Sequence, residues 1–122
     1  DVDRLGMLSN EAFRAARLVV DPGMHALGWS RQEAVDYMLA NTAASQGGVE
    51  SEISRYIAVP GQATSYLTGS LLIQELRAQA EAALGDGFDI REFHDLVIED
   101  GTVTLSMLKT KIEAWIEAGP GD

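Results

Sequence analysis

Apolar residues recur along this chain at intervals of three and four, the spacing of one helical face, and no stretch sustains the period-two alternation of a half-buried strand. The first helical block is predicted from about Asn10 to Val20, with Asn10 placed to cap and Phe13, Ala16, Arg17 and Val20 sharing one side. Arg17 and Asp21 are four apart, so they can pair across a turn. Ser30-Arg-Gln-Glu33 has the form of a capping box and opens a helix to about Thr42, whose buried stripe is Ala34, Tyr37, Met38 and Asn41. Residues 45–50, Ser-Gln-Gly-Gly-Val-Glu, read as a loop, and a short helix begins at Glu50 or Ser51 and stops before Pro60.

The longest helix is predicted over about Gln62 to Leu84, closed by Gly85 as a left-handed cap. Gly69, Ile73, Leu76, Ala80 and Ala83 follow one face, and Tyr66 lies on the same line, which points it inward. Asp89-Ile-Arg-Glu92 is a box-like start for a helix ending near Gly101, with Ile90, Phe93, His94 and Val97 on its apolar side. Its position on that face predicts a buried His94. Gly101–Thr104 reads as a short extended link, and Thr104 caps a last helix that buries Leu105, Leu108, Ile112, Trp115 and Ile116. All three prolines precede glycine, at 22–23, 60–61 and 120–121, and each pair reads as a helix break because proline restricts the residue before it while glycine admits positive φ. The third pair is expected to open a frayed tail. The expected fold is all-α, a bundle of about six helices in a single helical domain over 1–122.

Charge narrows the function classes. The chain has 122 residues and a formal net charge of -10. It therefore lacks the basic face that nucleic-acid phosphates require. The imbalance is heavier after Pro60, with eleven acids against four bases, than before it, with eight against five. No apolar run approaches the roughly 20 residues of a membrane-spanning helix. There is no cysteine, which excludes disulfides and thiolate metal sites. The chain begins at Asp1, as expected of a processed product or a piece of something longer.

Most familiar chemistries find no support. The two histidines, His25 and His94, stand in unrelated contexts and lack the spacing of a zinc helix, so no metal ligand is assigned in this chain. The acids Asp86, Asp89, Glu92, Asp95, Glu99 and Asp100 lack the alternation of a calcium loop and read as a solvated face. Gly85-Asp-Gly87 is too short for a dinucleotide fingerprint, and no serine sits in a nucleophile turn. What remains is a coincidence of kind: Asp21, His25, Arg55, Tyr56, Gln62 and Tyr66 gather around the first two Pro-Gly pairs, with His25 expected in a turn. Donors of this sort can hold a carboxylate or a developing oxyanion, and they can equally serve packing alone.

Several stretches together carry a resemblance. Arg17-Leu-Val-Val-Asp-Pro-Gly-Met-His25, Gly28-Trp-Ser, Arg55-Tyr-Ile, Pro60-Gly-Gln-Ala with Tyr66, Leu84-Gly, Phe88-Asp and Phe93-His-Asp95 occur in the order found in the bacterial domain of unknown function 885 family. Over nearly its whole length the chain is similar to the C-terminal end of those larger, mostly helical proteins, which look like zinc metallopeptidases. The resemblance implies that zinc is held by a helix upstream of the matched region. This chain would then be an inactive piece forming one wall of a hydrolase cleft, its partners the upstream part of the same polypeptide and a peptide substrate. It further implies Tyr66 or His25 as the oxyanion donor, with Arg55 and Tyr56, alongside Gln62, orienting substrate. Pro22 stands where the family commonly has threonine and Leu67 where lysine is common, which bears on the turn presenting His25 and on substrate preference. The alternative from another class is a non-catalytic helical structural or interaction module.

Overall fold

The computed structural model describes residues 1–119, and the Pro120-Gly121 break lies outside the described residues. Among these the fold is all-α, as expected: α1 (Val2–Ala26), α2 (Arg31–Asn41), α3 (Gln46–Ala58), α4 (Gln62–Leu84), α5 (Ile90–Ile98) and α6 (Leu105–Ala118), with a 3-10 turn at Gly85–Gly87. The chain divides into two compact units, Asp1–Thr68 and Gly69–Asp122, and the boundary falls within α4.

In the first unit, α1, α2 and α3 pack around Val20, Ala34, Met38, Val49, Ile53 and Tyr56, all at or below 1% exposure. Local chemistry starts α2 where the sequence suggests. Ser30 accepts the Glu33 amide at 3.2 Å while Glu33 accepts the Ser30 amide at 2.7 Å, a complete capping box. In α2 the buried residues are Ala34, Val35 and Met38; Tyr37 is half-buried and Asn41 is exposed, its amide turned back to the Tyr37 carbonyl.

Two expectations are overturned here. Residues 46–50 are helical, because Ser45 caps α3 by accepting the Gly48 amide at 3.3 Å. Two glycines weigh little in a first turn whose amides have no intrahelical partners anyway. The Pro22-Gly23 pair does not break α1, which starts at Val2 and runs on to Ala26. Packing overrides the local preference. Gly23 is buried, and a Cβ there would lie 2.7 Å from Trp29 Cδ2, so this glycine serves the close approach of an indole rather than a turn. The Trp29 amide donates to the Gly23 carbonyl at 2.9 Å, which holds the approach in place.

The second unit buries Leu76, Ala80, Phe93, Leu108 and Ile112. Gly85, at φ +54, closes α4 as expected, and Thr104 caps α6 by accepting the Met107 amide at 3.3 Å. Asp89 caps α5 through the Arg91 amide, and residues 101–104 link α5 to α6 without forming a strand. Ala83 and Leu105 are exposed, against expectation. His94 is exposed too, not buried, since Phe93 beside it takes the core position and Ile90, Leu96 and Val97 flank it. The six acids of the 86–100 stretch are exposed, as a solvated face requires.

Candidate functional site

The Pro60-Gly61 pair is a real break, and its consequence is two backbone groups without helical partners. Pro60 has no amide hydrogen, so the Tyr56 carbonyl four residues earlier has no i+4 donor. His25 supplies one, with Nε2 3.1 Å from that carbonyl oxygen. A carbonyl only accepts, so Nε2 carries the proton. On the other side of the break Gly61, at φ +80, presents its amide to both carboxylate oxygens of Asp21, each at 3.1 Å. A carboxylate there also suits the positive N-terminal end of α4. The last turns of α1 therefore cap both sides of the α3–α4 break. His25 consequently sits in the last turn of a helix, not in the turn expected for it, and Asp21 is committed to Gly61 rather than to Arg17.

Beyond the break runs a side-chain chain. Glu52 accepts both Arg55 Nε at 3.1 Å and Arg55 Nη2 at 2.7 Å, a bidentate pair, and also takes the Tyr56 hydroxyl at 2.8 Å. Arg55 Nη1 donates to Gln62 Oε1 at 2.7 Å. Because arginine only donates, that contact fixes the amide orientation and turns Gln62 Nε2 toward Tyr66 Oη, at 3.3 Å. The phenolic oxygen of Tyr66 accepts, and its own proton stays available. Tyr66 is 50% exposed, not inward-pointing.

Tyr56 plays a different part. It is 1% exposed, and burial, followed by the hydrogen bond to Glu52, pushes its phenol well above its ordinary range, so it remains a neutral donor. The hydrogen bonds from Arg55 hold the Glu52 carboxyl below its ordinary 4.5, while Glu52 raises the Arg55 guanidinium. A depressed folded value contributes stability that is complete above the unfolded pKa and lost as pH falls through the folded one. The gap in urea midpoint between the wild type and Glu52→Gln should accordingly be full above pH 4.5 and close on further acidification. A gap that persists unchanged in strong acid contradicts the ion pair.

All five site residues expected from the sequence thus meet around one break. His25 joins through the Tyr56 backbone, and Arg55, Tyr56, Gln62 and Tyr66 join through side chains. Sequence reasoning missed Glu52, whose spacing of three and four from Arg55 and Tyr56 was the available signal. It also missed the part played by Arg17. That side chain is 8% exposed, with its Cζ 5.4 Å from the Tyr56 ring centroid and 5.0 Å from that of Tyr66, where Arg14 also approaches at 5.5 Å. Its Nε and Nη2 are buried without a hydrogen-bond partner. A cation on the buried stripe of α1 was the clue.

Among the described residues no three His, Cys, Asp or Glu side chains gather as a metal site. No helix described is long and apolar enough to cross a membrane. A family model described as bacterial protein of unknown function (DUF885) matches residues 1–112. A solved structure of a lipoprotein candidate from Colwellia psychrerythraea is 46% identical, with a TM-score of 0.88, over 94% of this chain and 20% of that one. The chain thus spans one fifth of the length of that relative. No curated protein matches.

Proposed function

From the premise that this chain belongs to the DUF885 family of bacterial proteins, we propose that it forms one wall of the substrate cleft in a larger peptidase-like hydrolase. The zinc that the family resemblance implies does not fit the described residues of this chain, among which no ligand cluster forms; its ligands would come from elsewhere in the full-length protein. What this chain contributes is positioning and hydrogen bonding.

The observation that carries the reading is the orientation of the Arg55–Gln62–Tyr66 relay. Gln62 donates to Tyr66 Oη, so the half-exposed phenol keeps a proton to give outward, and a preorganised O–H of that kind stabilises an oxyanion as it develops. His25 is the weaker of the two donors because its Nε2 proton is spent on the Tyr56 carbonyl, which makes it a positioning residue. Arg55, a side chain 40% exposed and braced by Glu52, is placed to orient substrate, with Gln62 locked between the two. The buried Tyr56 favours the non-catalytic reading for that residue alone: it anchors Glu52 and packs the core.

The test is Tyr66→Phe in the full-length protein, which removes the proton and keeps the ring. The expected result is a fall in kcat on the order of a hundred-fold for peptide hydrolysis, with KM little changed. Unchanged hydrolysis in Tyr66→Phe, or no hydrolysis by the wild type across a set of short peptides, would leave a helical packing module as the function.

A further inference from the structure

A guanidinium with nine-tenths of its residue surface out of solvent normally has its donors matched, since a buried unmatched donor keeps its full desolvation cost. Two nitrogens of the Arg17 side chain, Nε and Nη2, are buried without a hydrogen-bond partner among the described residues. Two acids of this cluster spend their hydrogen bonds elsewhere, Glu52 on Arg55 and Tyr56 and Asp21 on the Gly61 amide, although Glu52 still feels the Arg17 charge. The rings of Tyr56 and Tyr66 offset part of the burial by cation–π attraction, but a ring face does not replace a carboxylate for a planar fork of donors. Arg14 adds a second cation beside Tyr66 and Arg55 a third beside Tyr56, inside a chain whose net charge is -10.

We propose that Arg17, assisted by Arg14, is a receptor for the carboxylate of a small ligand, seated beside Tyr66. The inference rests on the reading of this cluster as a ligand-facing wall, and it names the ligand's chemistry: an organic acid, or a peptide with a free carboxylate. Tyr66 is the ring that turns aside to admit it, since it is half-exposed and only the 3.3 Å bond from Gln62 is given up, whereas Tyr56 is buried and tied to Glu52. The Arg17 fork then donates to both carboxylate oxygens in a bidentate contact that a lysine cannot copy.

Calorimetric titration of the full-length protein with phenylacetate and with its uncharged isostere phenylacetamide tests this without requiring turnover. The wild type is expected to bind the acid at least ten-fold more tightly than the amide, and Arg17→Lys to abolish that preference. Ligand-free Arg17→Met should unfold close to or above the wild-type temperature, because the two unmatched buried donors it removes offset the cation–π contacts it gives up. Equal binding of acid and amide, no saturable binding of either, or a preference surviving in Arg17→Lys overturns the proposal. So does a marked fall in the unfolding temperature of Arg17→Met, which would mean that an acidic side chain elsewhere in the full-length protein already occupies Arg17. A protein that shows the acid preference yet cleaves no peptide would discard the hydrolase reading and keep the receptor.

Discussion

Phe93→Ala is expected to lower stability by about 3–5 kcal/mol, read as a drop in urea midpoint at constant slope. Phe93 is 1% exposed at the centre of the second unit's core, with Leu76, Ala80, Leu108 and Ile112 as buried neighbours. Its ring stands 6.2 Å from that of Phe88 and 6.4 Å from that of Trp115, and Phe88 stands 6.3 Å from Trp115. Tilted aromatic pairs at such distances add about 0.5–1.5 kcal/mol each beyond the area they bury, so truncation removes a hub and leaves a cavity that the remaining rings cannot close. His94→Ala, one residue on, is the control: the exposed imidazole should change stability by no more than about 0.5 kcal/mol. A loss below about 1 kcal/mol in Phe93→Ala would show that the second unit is not organised around this ring.

That contrast between neighbours also marks how far the sequence could be read. The periodicity of α5 placed Phe93 and His94 on one broad face, but periodicity cannot say where along that face burial ends; the packed rings decide it. Some caps were legible because they are local, although Asn10, expected to cap, lies inside α1, and the Ser45 cap went unread. Ser30 with Glu33, Thr104 and Gly85 act within a few residues, and each stands where the chain suggested. The continuation of α1 through Pro22 was not legible, since it depends on Trp29 lying against Gly23 and on Asp21 reaching a residue 40 positions away. Tyr66 was misplaced for a related reason. The line through Ile73, Leu76 and Ala80 describes the second unit's part of α4, whereas in the first unit's part the buried residue is Ala63.

The candidate site shows the same division between composition and wiring. The sequence grouped polar residue types that the fold brings together at the Pro60-Gly61 break, because proline and glycine announce unmatched backbone groups and polar side chains collect where such groups need partners. It did not reveal which partner each would take. His25 answers a carbonyl orphaned by Pro60, Asp21 answers the Gly61 amide, and Arg17 is left over, a consequence visible only once the two others are assigned. The same wiring separates the two tyrosines of RYIAVPGQATSY. The first is a buried strut; the second is half-exposed and accepts from Gln62.

Ile53→Ala is expected to cost about 2–5 kcal/mol, and its effect should reach the site. Ile53 is fully buried on α3, three residues before Tyr56 and one after Glu52, so it shares the helical turn on which the strut and its carboxylate stand. A cavity there gives α3 room to settle, and the Glu52–Arg55–Gln62 relay depends on contacts of 2.7 to 3.1 Å that tolerate little movement. Ile53→Val, which removes one methylene, should cost only about 0.5–1.5 kcal/mol and leave the relay in place. Measured together, the two variants separate packing from positioning: the expected result is a graded loss of unfolding temperature across both, but a loss of acid-over-amide preference in Ile53→Ala alone. If both variants keep that preference while stability falls, the relay is held by its own hydrogen bonds, and the core beneath it is not what fixes the geometry of the Arg17 and Tyr66 donors.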